Sequence, residues 1–166
     1  GIIMYTVGII TSSDKGYAGE REDKSGEVVR QLVEAAGFTV EKQIILPDDR
    51  EMLANEFKVM CDELKVNLVL STGGTGFSKR DITPEATKDI IEREAPGICE
   101  AIRMYSMQIT KRAMLSRAVS GIRKDTLIVN LPGSPKACKE ALDYVLDDIK
   151  HGIDILLGTS KECARK

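Results

Sequence analysis

The sequence predicts an α/β fold: a mostly parallel sheet with helices on both faces and one antiparallel strand. Three observations predict it. Apolar strand-like runs alternate with amphipathic helical runs through the first half of the chain. Polar or glycine-rich segments follow those runs, where the chain must turn. Late in the chain, two β-rich runs flank Arg123-Lys124-Asp125, which is the spacing of a hairpin or tight strand pair.

Tyr5–Ile10 is the first expected strand, followed by a polar loop from Thr11 to Lys24. Ser25–Ala36 carries Val28, Val29, Leu32, Val33 and Ala36 at helical spacing, and Gly37 is a helix stop. Phe38–Leu46 is a second strand closed by Pro47. Asp48 or Asp49 caps the next helix, whose expected core face is Leu53, Phe57, Met60 and Leu64. Val66–Ser71 is apolar enough for a strand buried on both faces. After a glycine-rich turn, Thr83-Pro84-Glu85 predicts a helix start with Thr83 as cap and Pro84 in the first position. Ile98, Ile102, Tyr105 and Ile109 mark a further helix. Ala118–Ile122 and Thr126–Leu131 form the strand pair, Pro132-Gly133-Ser134-Pro135 breaks the chain, and the last helix turns Ala141, Leu142, Val145, Ile149, Ile153 and Leu156 inward.

At 166 residues the chain reads as one domain, residues 1–166, with no internal repeat or linker. Hydrophobic content of 42% beside 30% charged residues fits a soluble globular protein and opposes disorder. A net charge of −2 without runs of like charge disfavours a nucleic-acid partner, and 4% aromatics disfavour base stacking. The first ten residues show no positively charged signal-peptide start, Met4–Ile10 is too short to span a membrane, and no lipidation signal closes the sequence. Cys61, Cys99, Cys138 and Cys163 are widely spaced without a C-x-x-C pair, which predicts reduced thiols and a cytoplasmic location. His151 is the only histidine, which excludes an in-chain Ser-His-Asp triad and a His-rich metal site.

In an open α/β sheet, ligands bind beyond the carboxyl ends of the strands. Ser12, Ser13 and Asp14 follow strand one, Asp48 and Asp49 strand two, Gly73 to Asp81 strand three, and Asn130 with Pro132-Gly133-Ser134 the last strand. Parallel neighbours would bring these groups to one rim. Gly73-Gly74-Thr75-Gly76 reads either as a tight turn or as a cradle whose N–H groups approach an anion. It has neither the Walker nor the dinucleotide spacing. Asp48 reads either as a helix cap or as a ligand group. Asp81 is left for a ligand or metal by Thr83, the expected cap. Two carboxylates from adjacent loops are what a magnesium ion beside phosphates needs. Lys79, Arg80, Lys111, Arg112, Arg117 and Lys136 are candidate phosphate partners, most of them expected to be surface charges.

The segments Ser71-Thr72-Gly73-Gly74-Thr75-Gly76, Arg80-Asp81-Ile82-Thr83-Pro84-Glu85-Ala86-Thr87, Ala113-Met114-Leu115-Ser116-Arg117 and Asn130-Leu131-Pro132-Gly133-Ser134-Pro135 resemble the MoaB/Mog family of molybdenum-cofactor biosynthesis proteins, to which the corresponding domain of gephyrin is homologous. The similarity runs from Val7 to about Leu157. It implies a three-layer α/β/α sandwich and adenylyl transfer from Mg-ATP to the terminal phosphate of molybdopterin, with release of pyrophosphate. A non-catalytic pterin- or nucleotide-binding paralogue is the alternative. The resemblance implies Asp48 and Asp81 as catalytic and Mg²⁺-holding carboxylates, and Gly73, Gly74, Thr75 and Gly76 as the phosphate loop. It implies ligand contacts at Ser13, Asp14, Ser106, Ser116, Asn130, Pro132 and Gly133. Lys15 stands where the family pattern after strand one has arginine. Implied partners are molybdopterin, ATP, further copies in a homotrimer or hexamer, and a molybdopterin molybdotransferase.

Overall fold

The computed structural model describes residues 4–159, so Cys163 lies outside the described residues. The strands are β1 (Thr6–Ser12), β2 (Thr39–Leu46), β3 (Leu68–Thr72), β4 (Arg93–Glu94), β5 (Ser120–Arg123) and β6 (Thr126–Leu131). The helices are α1 (Asp14–Tyr17), α2 (Lys24–Ala35), α3 (Arg50–Lys58), α4 (Thr83–Lys88), α5 (Gly97–Met107) and α6 (Pro135–Leu157). Sheet order is β2-β1-β3-β6-β5-β4. The first four in that order are parallel, and β5 runs antiparallel to both β6 and β4. The mixed sheet is therefore the predicted one, with the short edge strand β4 and the single turn α1 as additions that sequence periodicity is too brief to signal.

Alternation along the central strands makes two cores. Val7, Ile9, Leu68, Leu70, Leu127 and Val129 point to the face covered by α2, α5 and α6. Ile10, Val69 and Ile128 point to the face covered by α3 and α4, where Leu53, Phe57 and Ala86 meet them. Each fully buried side chain of this size stabilises the fold by about 2–3 kcal/mol relative to exposure.

Four expectations at helix ends are corrected. Leu64, expected in the core, is 42% exposed, because α3 runs into a π turn at Val59–Glu63. The extra residue in that turn rotates the next residues away from the core face. Within the turn Met60 remains fully buried, and its sulfur lies so close over Gly8 that a Cβ there would sit 2.5 Å from it. Ile109, expected on a helix face, is 50% exposed because α5 stops at Met107, while Tyr105 stacks on Tyr144 at 4.3 Å between ring centroids. Thr83 does not cap α4: Ile82 holds that position, and the Thr83 hydroxyl donates to the Gly73 carbonyl at 3.0 Å. At the C-terminal end of α6, Leu156 is only half-buried, and Gly158 ends the helix in the left-handed region at φ +71°.

Cys61, Cys99 and Cys138 are free and buried. Burial pushes the Cys61 and Cys138 thiols up to about 11, so both stay protonated and inert near neutrality. Among the described residues no helix is long and apolar enough to cross a membrane.

Candidate active site

From β1 the chain crosses over to β2 on one side, while β3 and β6 lie on the other. This reversal opens a crevice beyond the carboxyl ends of β1 and β3. A cavity of about 810 Å³ occupies it. Ser12, Ser13, Gly73, Gly74, Asp48 and Asp81 are among its walls, and Gly133 and Ser134 close it from the far side. The amino ends of α2 and α6 also open on it, at Lys24-Ser25 and at Ser134-Pro135. Helix amino ends carry partial positive charge, which with Arg21 and Lys24 offsets the negative charge of Glu22, Asp23, Asp48 and Asp81 in the same lining.

Asp48 is free of capping duty because its neighbour takes it: Asp49 accepts from the Met52 N–H at 2.9 Å. The Asp48 carboxylate instead accepts the Ser12 hydroxyl at 2.5 Å and the Asp14 N–H at 3.2 Å. Asp14 returns the contact by accepting the Asp48 N–H at 3.0 Å. Arg80 donates to both Asp14 oxygens at 3.0 and 2.8 Å and holds that carboxyl below the usual range. The loops after β1, β2 and β3 are thereby joined at the mouth of the crevice. Asp81 is less free than its sequence context suggests, since it accepts the Ser78 N–H at 3.0 Å.

The glycine loop bends where only glycine fits. Gly73 has φ +91° and a Cβ there would stand 2.5 Å from the Ser12 carbonyl oxygen. Gly74 has φ +71°, with Thr83 Oγ1 in the space a Cβ would need. Both glycines face the crevice, whereas Thr75 and Gly76 do not line it. Their carbonyls instead accept Arg117 N–H groups, each at 2.8 Å. Asp14 likewise lies outside the wall, behind Asp48.

The remaining expected residues gather elsewhere. Ser106, Ser116, Asn130 and Pro132 border a second cavity of about 240 Å³ between α5, α6 and the 3-10 turn Lys111–Leu115. Its walls are largely apolar, with Ile102, Ile109 and Ala137 among them, and its charged lining residues are Arg103, Arg112 and Glu140. Pro132 borders the small cavity and Gly133 the large one, so two successive residues separate them. The Asn130 side chain is fully buried and spent on the fold. Its amide nitrogen donates to Ser71 Oγ at 2.9 Å and Thr87 Oγ1 at 3.0 Å, and its oxygen accepts the Val119 N–H at 3.0 Å.

Of the six cations singled out as phosphate partners, none lines the large cavity; Arg21 and Lys24 do, and Arg112 borders the small one. Sequence reasoning also passed over Asp23 and Ser25. Asp23 caps α2 by accepting the Gly26 N–H at 2.8 Å and also accepts the Thr11 hydroxyl at 2.7 Å; the Ser25 hydroxyl donates to the Gly133 carbonyl at 2.6 Å. An Asp-x-x-Gly cap before an amphipathic run was the available signal. Arg103 and Glu140 had none, because nothing in their spacing separates them from the other charged residues of α5 and α6.

Residues 8–151 match the family described as probable molybdopterin binding domain. The chain is 38% identical over 165 residues to the molybdopterin adenylyltransferase of Helicobacter pylori, covering 96% of this chain and 92% of that protein. It is 42% identical over 147 residues to the enzyme of the same name from Haemophilus influenzae, covering 87% and 74% respectively. Among solved structures, the molybdopterin biosynthesis enzyme MoaB of Thermus thermophilus superposes with a TM-score of 0.88 at 40% identity, covering 93% of this chain and 97% of that one.

Proposed function

The chain belongs to the molybdopterin-binding domain family, and from that premise we propose that it is a molybdopterin adenylyltransferase. It transfers AMP from Mg-ATP to the terminal phosphate of molybdopterin and releases pyrophosphate. The observation that carries this reading is the pair of cavities on either side of Pro132-Gly133. One is the more polar and is lined by carboxylates, Gly73, Gly74 and helix amino ends; the other is small and largely apolar. A nucleotide triphosphate suits the first and a flat heterocycle the second. The shared partition supports the two phosphates meeting there.

In the reaction an oxygen of the terminal phosphate bonds to the α-phosphorus of ATP, and the bond to the pyrophosphate oxygen breaks. No proton has to be removed from an alcohol, so a site without histidine is adequate. Positioning and charge compensation carry the rate instead. Gly73 and Gly74 let the backbone approach the phosphates closely, and the amino ends of α2 and α6 offset their charge. Asp48 and Asp81 are the residues that would hold magnesium. Hard carboxylate oxygens suit that ion. Magnesium usually takes only one or two protein carboxylates and completes its shell with phosphate oxygens and water. When bound, magnesium supplies charge neutralisation at the transferred phosphoryl group.

The same proposal includes self-association as a homotrimer or a hexamer, a cytoplasmic location and delivery of product to a molybdopterin molybdotransferase. The deciding experiment incubates the protein with molybdopterin, ATP and Mg²⁺ and measures adenylylated pterin and pyrophosphate. Stoichiometric formation of both is expected. Tight pterin binding without product selects the non-catalytic paralogue.

A further inference from the structure

Arg117 was one of six cations considered for phosphate binding, yet it lines neither cavity. Its hydrogen bonds run into the glycine loop. The backbone N–H donates to the Thr75 carbonyl at 2.8 Å, Nε to the Gly76 carbonyl at 2.8 Å, and Nη2 to the Asp81 carbonyl at 2.6 Å. Nη1 donates to Glu85 at 2.7 Å, in the first turn of α4. One side chain thus spans both ends of the segment that carries Asp81 and fixes that segment to a helix. The preceding residue, Ser116, borders the small cavity, and so do Arg112 and Ala113 of the 3-10 turn.

We propose that Arg117 is a positioning residue for adenylyl transfer: it holds the glycine loop and Asp81 in register, from a segment that itself walls the small cavity. The inference rests on the adenylyltransferase reading. A planar guanidinium with several fixed donors can serve two carbonyls and a carboxylate at once, whereas a lysine ammonium on a flexible stem cannot keep that spread. The loop would still fold without Arg117, because Thr83 holds the Gly73 carbonyl and Gly74 accepts the Thr83 N–H at 3.1 Å. What is lost is the fixed placement of residues 75–81.

The test compares Arg117→Lys with the unsubstituted protein by two readouts. The first is turnover: kcat is expected to fall about 100-fold, while KM for molybdopterin changes less than about threefold. The second is amide hydrogen exchange, which needs no activity: exchange across residues 75–81 is expected to rise at least about tenfold, with the strands β1, β3 and β6 unchanged. Unchanged exchange at 75–81 overturns the inference, as does a kcat within threefold of the unsubstituted protein. If the unsubstituted protein makes no product, the functional reading fails, and the exchange readout still decides whether Arg117 fixes the loop. Should Arg117→Lys not fold, Glu85→Gln replaces it. A smaller rise in exchange confined to the same segment then supports the inference, and none overturns it.

Discussion

The two cavities lie one residue apart at Pro132-Gly133 and are built in opposite ways. The large one is lined mainly by loops at strand ends and helix starts, with Gly73, Gly74 and the three aspartates Asp23, Asp48 and Asp81 among its walls. The small one is lined by side chains projecting from α5, α6 and the 3-10 turn. Backbone-built walls are set by the sheet topology and by a few glycines, so single atoms matter there. Side-chain-built walls are set by volume, so they tolerate substitution and tune selectivity instead. The difference teaches where damage should be sharp and where it should be graded.

The sharpest effect is expected at Asp81. Asp81→Ala should reduce product formation by at least about 100-fold, with circular dichroism unchanged and molybdopterin still bound. Near-normal turnover would remove the large cavity from the chemistry. Next comes Gly74→Ala, where a Cβ meets Thr83 Oγ1 at a positive φ. A loss of about 2–4 kcal/mol is expected in urea titrations, together with weakened ATP binding. Equal weakening of pterin binding would show that the two cavities are not separate units. Ala137→Leu should fill part of the small cavity and weaken pterin binding about tenfold, leaving ATP binding alone; calorimetry with each ligand separately checks it.

The smallest effect serves as a control remote from both cavities. Asp62 accepts Arg123 at 3.0 and 2.9 Å and has Lys124 at 3.1 Å, which hold its carboxyl down at about 2. Because the folded-state value lies below the ordinary carboxylate value, the pair stabilises fully above about pH 4 and is lost as pH falls through about 2. Asp62→Asn should therefore cost ~1 kcal/mol at neutral pH and nothing well below pH 2, without altering either binding constant.

This contrast also explains what the sequence could reveal. The large cavity was legible because its residues are short runs directly after apolar strands, and the strand-end rule for open α/β sheets brings such runs together. Asp48 could not be separated from Asp49 by spacing; the choice depends on which carboxylate reaches the Met52 N–H. Asn130 looked like a ligand group because it ends a strand, but its place at a central strand directs the amide into Ser71, Thr87 and Val119 instead. Arg117 reads as an ordinary surface cation until the carbonyls of the glycine loop are seen around it. Leu64 and Ile109 were misplaced for a different reason: periodicity extends a helix until something stops it, and neither the π turn nor the end of α5 has a local residue signal.

The strand order has a consequence for biogenesis. The β2-β1-β3 half of the sheet is complete by Thr72, so a growing chain can form one wall of the polar crevice early. Its opposite wall, Gly133 to Pro135, joins only after β6 has inserted beside β3. Non-local strand pairing is slow, and sheet edges left open meanwhile invite association with other chains. Until β6 pairs with it, β3 is an open edge of that half-sheet, and a ligand that touches both walls stabilises only the completed sheet.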